Sequence, residues 1–211
     1  GCVSFTSVTI PDSVTSLGGS VFYGCKGLKH ATIGNGVTGY LGGVFEHCDN
    51  LESLVIGDGI TEIVQYSFED FGKLKSVVIG DGVTKIGGSA FSGCASLTDL
   101  HLGNSLESIG GQAFSACSEL TSLQLPDSVT SIGTSAFEGC TALTDISFGT
   151  KLTTLGNSAF SDCTSLVSVV LPDSLTDMEG CVFDGCSSLK NVTIPNNVTS
   201  IGGSTFEDCT S

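Results

Sequence analysis

The chain has 211 residues, of which 40% are hydrophobic and 14% charged, and its 7 basic and 22 acidic side chains give a formal charge of −15. That apolar content can fill a large core and argues against disorder, while the acidic balance would repel a phosphate backbone, so no nucleic acid partner is expected. No apolar run approaches the roughly 18 residues that suggest a membrane span, so no transmembrane segment is expected either.

One interval organises the sequence. Phenylalanine stands at Phe22, Phe45, Phe68, Phe91, Phe114, Phe137, Phe160, Phe183 and Phe206, always 23 residues apart, with no insertion or deletion. In chain order each coil opens on a cysteine, at Cys2, Cys25, Cys48, Cys94, Cys117, Cys140, Cys163, Cys186 and Cys209, with Phe71 in that phase once. Three residues later comes Phe5 in the first coil, then Leu28, Leu51, Leu74, Leu97, Leu120, Leu143, Leu166 and Leu189. Aliphatic residues follow three and five further on, as in Leu123 and Leu125 or Val192 and Ile194. That last pair alternates as in a half-buried strand, so stretches such as "LTSLQL" and "LKNVTI" are predicted strands. Pro or Gly followed by Asp, Asn or Thr then ends each strand in a turn. "VTSI" forms a second short extended side, and "GxxAFxxC" returns the chain through a compact turn. A single coil cannot bury its apolar flank alone, so coils must stack, with in-register strands pairing in parallel at about 4.8 Å per coil.

The L-x-x-V-x-I core resembles a leucine-rich repeat, and the coupled I-G-x-x-A-F-x-x-C half resembles the BspA-like, or treponemal-type, subclass. The resemblance covers essentially the whole chain. It implies a mainly β leucine-rich-repeat solenoid, a right-handed arc of about nine 23-residue coils with a parallel sheet on the concave side and short strands and turns on the others. It also implies cell-surface or secreted proteins of mucosal bacteria and protists, several of them adhesins for host matrix proteins or other cells. Three coils depart from the I-G step, at "GYLGG", "EIVQYSF" and "DMEGCVF", and local irregularity is expected there.

The ladders invite chemical readings. Neighbouring cysteine rungs fall within disulfide reach, but stacked side chains pointing the same way seldom attain the required dihedral, and no C-x-x-C spacing suggests a metal. Phe71 in the same phase points to a slot for apolar volume. Cys181 lies outside the ladder, in a phase otherwise held by Ser, Gly, Tyr or Gln, and is expected to be an exposed thiol able to pair with Cys186. The row Asp12, Asn35, Asp58, Asp81, Asn104, Asp127, Thr150, Asp173 and Asn196 offers one side chain per coil, too few converging oxygens for calcium, and turn formation explains it more simply. The threonine row from Thr15 to Thr199, broken at Glu107, has a variable neighbour, so β-propensity is preferred over ice binding.

Catalysis finds little support. His30 and His101 would face the concave sheet about three coils apart, His47 lies in the returning turn, and no serine or cysteine has an evident base and orienting acid beside it. The outward strand positions remain. They vary from coil to coil while the inward ones barely change, as on a scaffold that presents a surface. The candidate ligand-binding residues are Lys29, His30, Thr32, Val55, Lys75, Val78, His101 and Gln124, with Val55, Val78 and Lys75 forming a small apolar and basic patch. Asn191 and Asn197 open two N-glycosylation sequons.

The first and last residues share a phase, Cys2-Val3-Ser4 with Cys209-Thr210-Ser211, and neither end carries a capping signal. Residues 1–211 are therefore expected to be a single repeat domain, a window of a longer array. The expected function is a non-catalytic extracellular or cell-surface binding scaffold for a protein or glycan ligand, with no cofactor. The alternative is a structural protein that binds itself, stacking end to end into filaments.

Overall fold

The computed structural model describes residues 1–211. The chain winds as a β-solenoid without helices, one turn per 23-residue coil. Its strands are β1 (Ser7–Ile10), β2 (His30–Ile33), β3 (Gly39–Tyr40), β4 (Ser53–Ile56), β5 (Ile60–Ile63), β6 (Ser76–Ile79), β7 (Lys85–Ile86), β8 (Asp99–His101), β9 (Ser108–Ile109), β10 (Ser122–Gln124), β11 (Ser131–Ile132), β12 (Asp145–Ser147), β13 (Thr154–Leu155), β14 (Ser168–Val170), β15 (Asp177–Met178) and β16 (Asn191–Thr193). All pairings are parallel. On the first flank they join residues 23 apart, such as Val55 with Val78. The second flank is one seven-stranded sheet, β15-β13-β11-β9-β7-β5-β3.

The first flank is not continuous. It comprises a five-stranded sheet, β1-β2-β4-β6-β8, and two pairs, β10-β12 and β14-β16. The turn that ends each strand shows why. At Gly80 the backbone N–H donates to Ile56 O at 2.8 Å, and a Cβ there would lie 2.7 Å from the carbonyl carbon of Gly57. Only glycine fits so close an approach between coils. Proline at the same phase, as at Pro126 and Pro172, brings a ring and has no N–H to give.

The core confirms the ladders. One group of 54 buried apolar residues runs from Ile10 to Leu189, so the coils share a single interior across the gaps in the first flank. From Phe68 to Phe160 successive rings in the phenylalanine column stand 5.1–5.3 Å apart and within 10° of parallel. Phe71 is buried in the cysteine phase and meets Phe68 edge-on, as expected of a slot for apolar volume. The cysteines do more than fill that slot. Each thiol of Cys94, Cys117, Cys140, Cys163 and Cys186 donates, at 3.2–3.4 Å, to the carbonyl of the phenylalanine in the preceding coil.

The turn residues have their own inter-coil bonds. Asp12, Asn35, Asp58, Asp81 and Asp127 each accept, through Oδ1, the backbone N–H of the residue one coil on. Two further rows sit in the left-handed region, one through Ser20, Tyr66, Ser89, Gln112, Ser135, Ser158, Cys181 and Ser204, the other mixing glycine with His47, Asp70, Ala116, Asp162 and Asp208. Of the three departures from the I-G step, only "GYLGG" disturbs the pairing, with a register shift between Gly39 and Tyr40. Lys85 still pairs with Glu62, and Asp177 with Thr154, so the other two coils are regular where irregularity was expected.

Candidate binding surface

The five-stranded sheet gathers most of the outward candidates. His30 and Thr32 lie on β2, Val55 on β4, Val78 on β6 and His101 on β8, while Lys29 and Lys75 immediately precede β2 and β6. Gln124 is on β10, across the gap from His101. Parallel register sets Lys29, Glu52 and Lys75 in one row. Glu52 is salt-bridged to Lys29 at 2.8 Å and to Lys75 at 3.1 Å. Hydrogen bonds from the two lysines hold its carboxyl down to about 2. The row beside Val55 and Val78 is thus ion-paired, one carboxylate shared between two exposed lysines.

The valines differ in what they offer. Val55 and Val78 are half-buried because each lies between paired strands, whereas Val170 is 69% exposed and Val167 44% exposed beside the gap between β12 and β14. These two were not among the sequence candidates. Their phases were readable, but their exposure depends on the gap.

Two histidines make defined bonds. His30 Nδ1 lies 2.8 Å from Ser53 Oγ, a serine–imidazole contact that the repeat frame had not suggested. No carboxylate pairs with His30, which lies on the open strand face. His101 Nδ1 lies 3.2 Å from Asp99 Oδ1, and Asp99 Oδ2 accepts from Ser76 Oγ at 3.0 Å.

Between β8 and β10 the face opens into a cleft of about 470 Å³. Asp99, His101, Asn104, Ser122 and Gln124 line it, over Leu100 and Leu102. No backbone hydrogen bond joins the two strands here. A second cleft, about 550 Å³, opens on the turn flank among Glu46, His47, Asp49, Tyr66, Glu69 and Asp70. Nowhere do three or more His, Cys, Asp or Glu side chains converge as metal ligands.

Cys181 proves half-buried rather than fully exposed. Its φ of 56° belongs to the left-handed row, which explains why small or polar residues otherwise fill the phase. It is not bonded to Cys186, whose thiol donates to Phe160 O and is pushed up to about 12 by burial. All ten cysteines are free. Asn191, on β16, and Asn197 are both exposed, and Asn197 Nδ2 donates to Asp173 O at 2.6 Å.

A family model described as a BspA-type leucine-rich repeat region of six copies matches residues 1–121 and 84–211. No curated protein matches the chain in sequence. Among solved structures, a leucine-rich repeat protein from Bacteroides ovatus is 30% identical over 97% of this chain, with a TM-score of 0.68, and this chain spans 61% of its length. A leucine-rich cell surface protein from Faecalibacterium prausnitzii is 28% identical over 97% of the chain and 77% of its own, with a TM-score of 0.54. The leucine-rich repeat protein of T. pallidum shares the fold at 24% identity over 75% of this chain and 77% of its own, with a TM-score of 0.54.

Proposed function

The chain belongs to the BspA-type leucine-rich repeat family, and from that premise we propose that it is an adhesin-like binding scaffold of the cell surface or extracellular space, presenting its outward strand face to a protein or glycan. Leucine-rich repeat proteins typically bind proteins, and the scaffold is generally non-catalytic. No helix of this chain is long and apolar enough to cross a membrane.

The observation that carries the reading is the division of labour on β1, β2, β4, β6 and β8. Inward residues such as Leu54 and Val77 are fully buried. The outward rung changes from Thr9 to Thr32, Val55, Val78 and His101. Side chains released from structural duty are free to specify a ligand.

The experiment is solid-phase capture on a panel of immobilised extracellular-matrix proteins, comparing the native chain with Val55→Glu/Val78→Glu. Both positions point outward, so the variant should keep the fold by circular dichroism while losing capture. Unchanged capture would remove the Val55–Val78 face from the binding surface.

A further inference from the structure

The gap between β8 and β10 exposes groups that the rest of the solenoid uses up. In the continuous part of the face, Leu54, Val77, Ile56 and Ile79 are at most 3% exposed. Their counterparts Leu100 and Leu102 are only half-buried and floor the cleft. Asn35 Oδ1 accepts the N–H of Asp58, but Asn104 Oδ1 receives no such bond from Asp127, the next rung. Asn104 instead donates its own Nδ2 to Asp81. His101 directs Nδ1 at Asp99, which leaves Nε2 unspent, and Ser122 Oγ and Gln124 have no side-chain partner in the protein. Acceptors, a hydroxyl and an amide therefore surround a small apolar floor, a combination suited to hydroxyl groups, which donate and accept at once.

The dimensions choose among occupants. About 470 Å³ falls within the range of small-ligand sites. An added peptide strand would need about 4.8 Å to each neighbour. Yet β9 pairs directly with β11 on the opposite flank, and the Phe114 and Phe137 rings stand 5.3 Å apart, so these coils are held near one strand spacing. Asp99 in the cleft and a formal charge of −15 disfavour an acidic ligand.

We propose that the cleft between β8 and β10 binds one neutral saccharide unit of a glycan, with His101, Asn104, Ser122 and Gln124 taking its hydroxyls and Leu100 and Leu102 under its C–H face. This rests on reading the strand face as a binding surface and gives that surface a ligand class.

The test is NMR titration of the labelled chain with maltose, cellobiose, lactose, N-acetyllactosamine and sialyllactose at millimolar concentrations. At least one neutral sugar should give saturable shifts confined to the amides of residues 98–104 and 122–125. His101→Ala and Gln124→Ala should each weaken it by about tenfold, the loss expected for a hydrogen bond or two. Val55→Glu alone, on β4 and two strands from β8, should leave sugar binding unchanged while matrix-protein capture weakens, so each reading can fail alone. The proposal is overturned if no neutral sugar shifts these amides, if both alanine variants bind as the native chain does, or if sialyllactose binds more tightly. A capped Thr-Val-Thr-Val peptide that shifts the same amides where the sugars do not would assign the gap to strand addition and also overturn it.

Discussion

Between Ser7 and His101 the first flank is a single sheet of five strands, whereas from Ser122 to Thr193 it is two separate pairs. The second flank and the phenylalanine column run through both regions unbroken. What separates them is the residue that ends each strand. Glycine stacked over glycine keeps the pairing (Gly57, Gly80, Gly103), as does glycine over proline (Gly34 on Pro11, Gly149 on Pro126) and proline over proline (Pro195 on Pro172). Only proline over glycine loses it, at Pro126 on Gly103 and Pro172 on Gly149. Glycine has no Cβ and can lean into the coil below, whereas the proline ring cannot. Stacked prolines share one shape and stay in step. A one-residue choice thus opens the face without dividing the core.

Alkali should give the largest effect, because it attacks what the regions share. Burial pushes the thiols of Cys94, Cys140 and Cys186 up to about 12, and those of Cys117 and Cys163 upward as well. Below the ordinary thiol value of 9.0 both folded and unfolded chains are protonated, and nothing is gained or lost. Above it the unfolded chain releases protons that the folded chain retains, so stability falls as pH rises from there toward about 12. Each such thiol contributes a loss of about 1.4 kcal/mol per pH unit. Denaturant midpoints measured across that range should fall steeply, and both regions should melt together. A flat profile, or separate transitions on either side of β8, would show that the core is not shared.

Next in size is Gly80→Pro, which places proline over glycine inside the continuous region. It removes the bond to Ile56 O and pushes a ring toward Gly57, costing about 3 kcal/mol. Amide exchange on β6 should quicken while the phenylalanine column remains ordered. If β4 and β6 stay paired, the stacking rule is wrong.

Most of the repeat was legible in the sequence because identical side chains 23 apart can only stack: the phenylalanine, cysteine and leucine columns all occur as spaced. The gaps were not legible while Pro and Gly counted as equivalent turn residues, since their difference acts only between neighbouring coils. Lys29, Glu52 and Lys75 share one phase, so their ion pairs could have been read in advance, yet the patch drawn around Val55 and Val78 counted Lys75 without Glu52. The exposure of Val170 follows from the gap beside β14, and the thiol bonds to phenylalanine carbonyls depend on local backbone direction, which apolar periodicity does not specify.

Pro126→Gly runs the comparison backwards. It places glycine over Gly103 and restores a donor toward Leu102. Re-pairing β8 with β10 would gain several ladder hydrogen bonds, each about 1 kcal/mol, partly offset by the greater chain entropy of glycine in the unfolded state, so net stability should rise by up to about 2 kcal/mol. Exchange at Leu100, Leu102 and residues 122–124 should slow, and the cleft should close to sugars. Unchanged exchange there would mean that proline is not what holds the gap open.

The smallest effect belongs to the ion-paired row, which exists only because β2, β4 and β6 remain in register. Glu52 is half-buried on the surface and its lysine partners are exposed, so its bonds to Lys29 and Lys75 act mainly on its titration and little on stability. A lowered carboxyl favours the folded chain above the ordinary carboxylate value, and that contribution is lost as pH falls toward about 2. The Glu52 carboxyl resonance should titrate near that value in dilute buffer and move toward the ordinary one in about 1 M salt, where screening shortens to roughly 3 Å. Glu52→Gln should leave the melting temperature unchanged and free both lysines. In Gly80→Pro the link to Lys75 should be lost while that to Lys29 survives, which leaves Glu52 titrating between its native and ordinary values. An identical titration in that variant would show that the row does not depend on the register of the sheet.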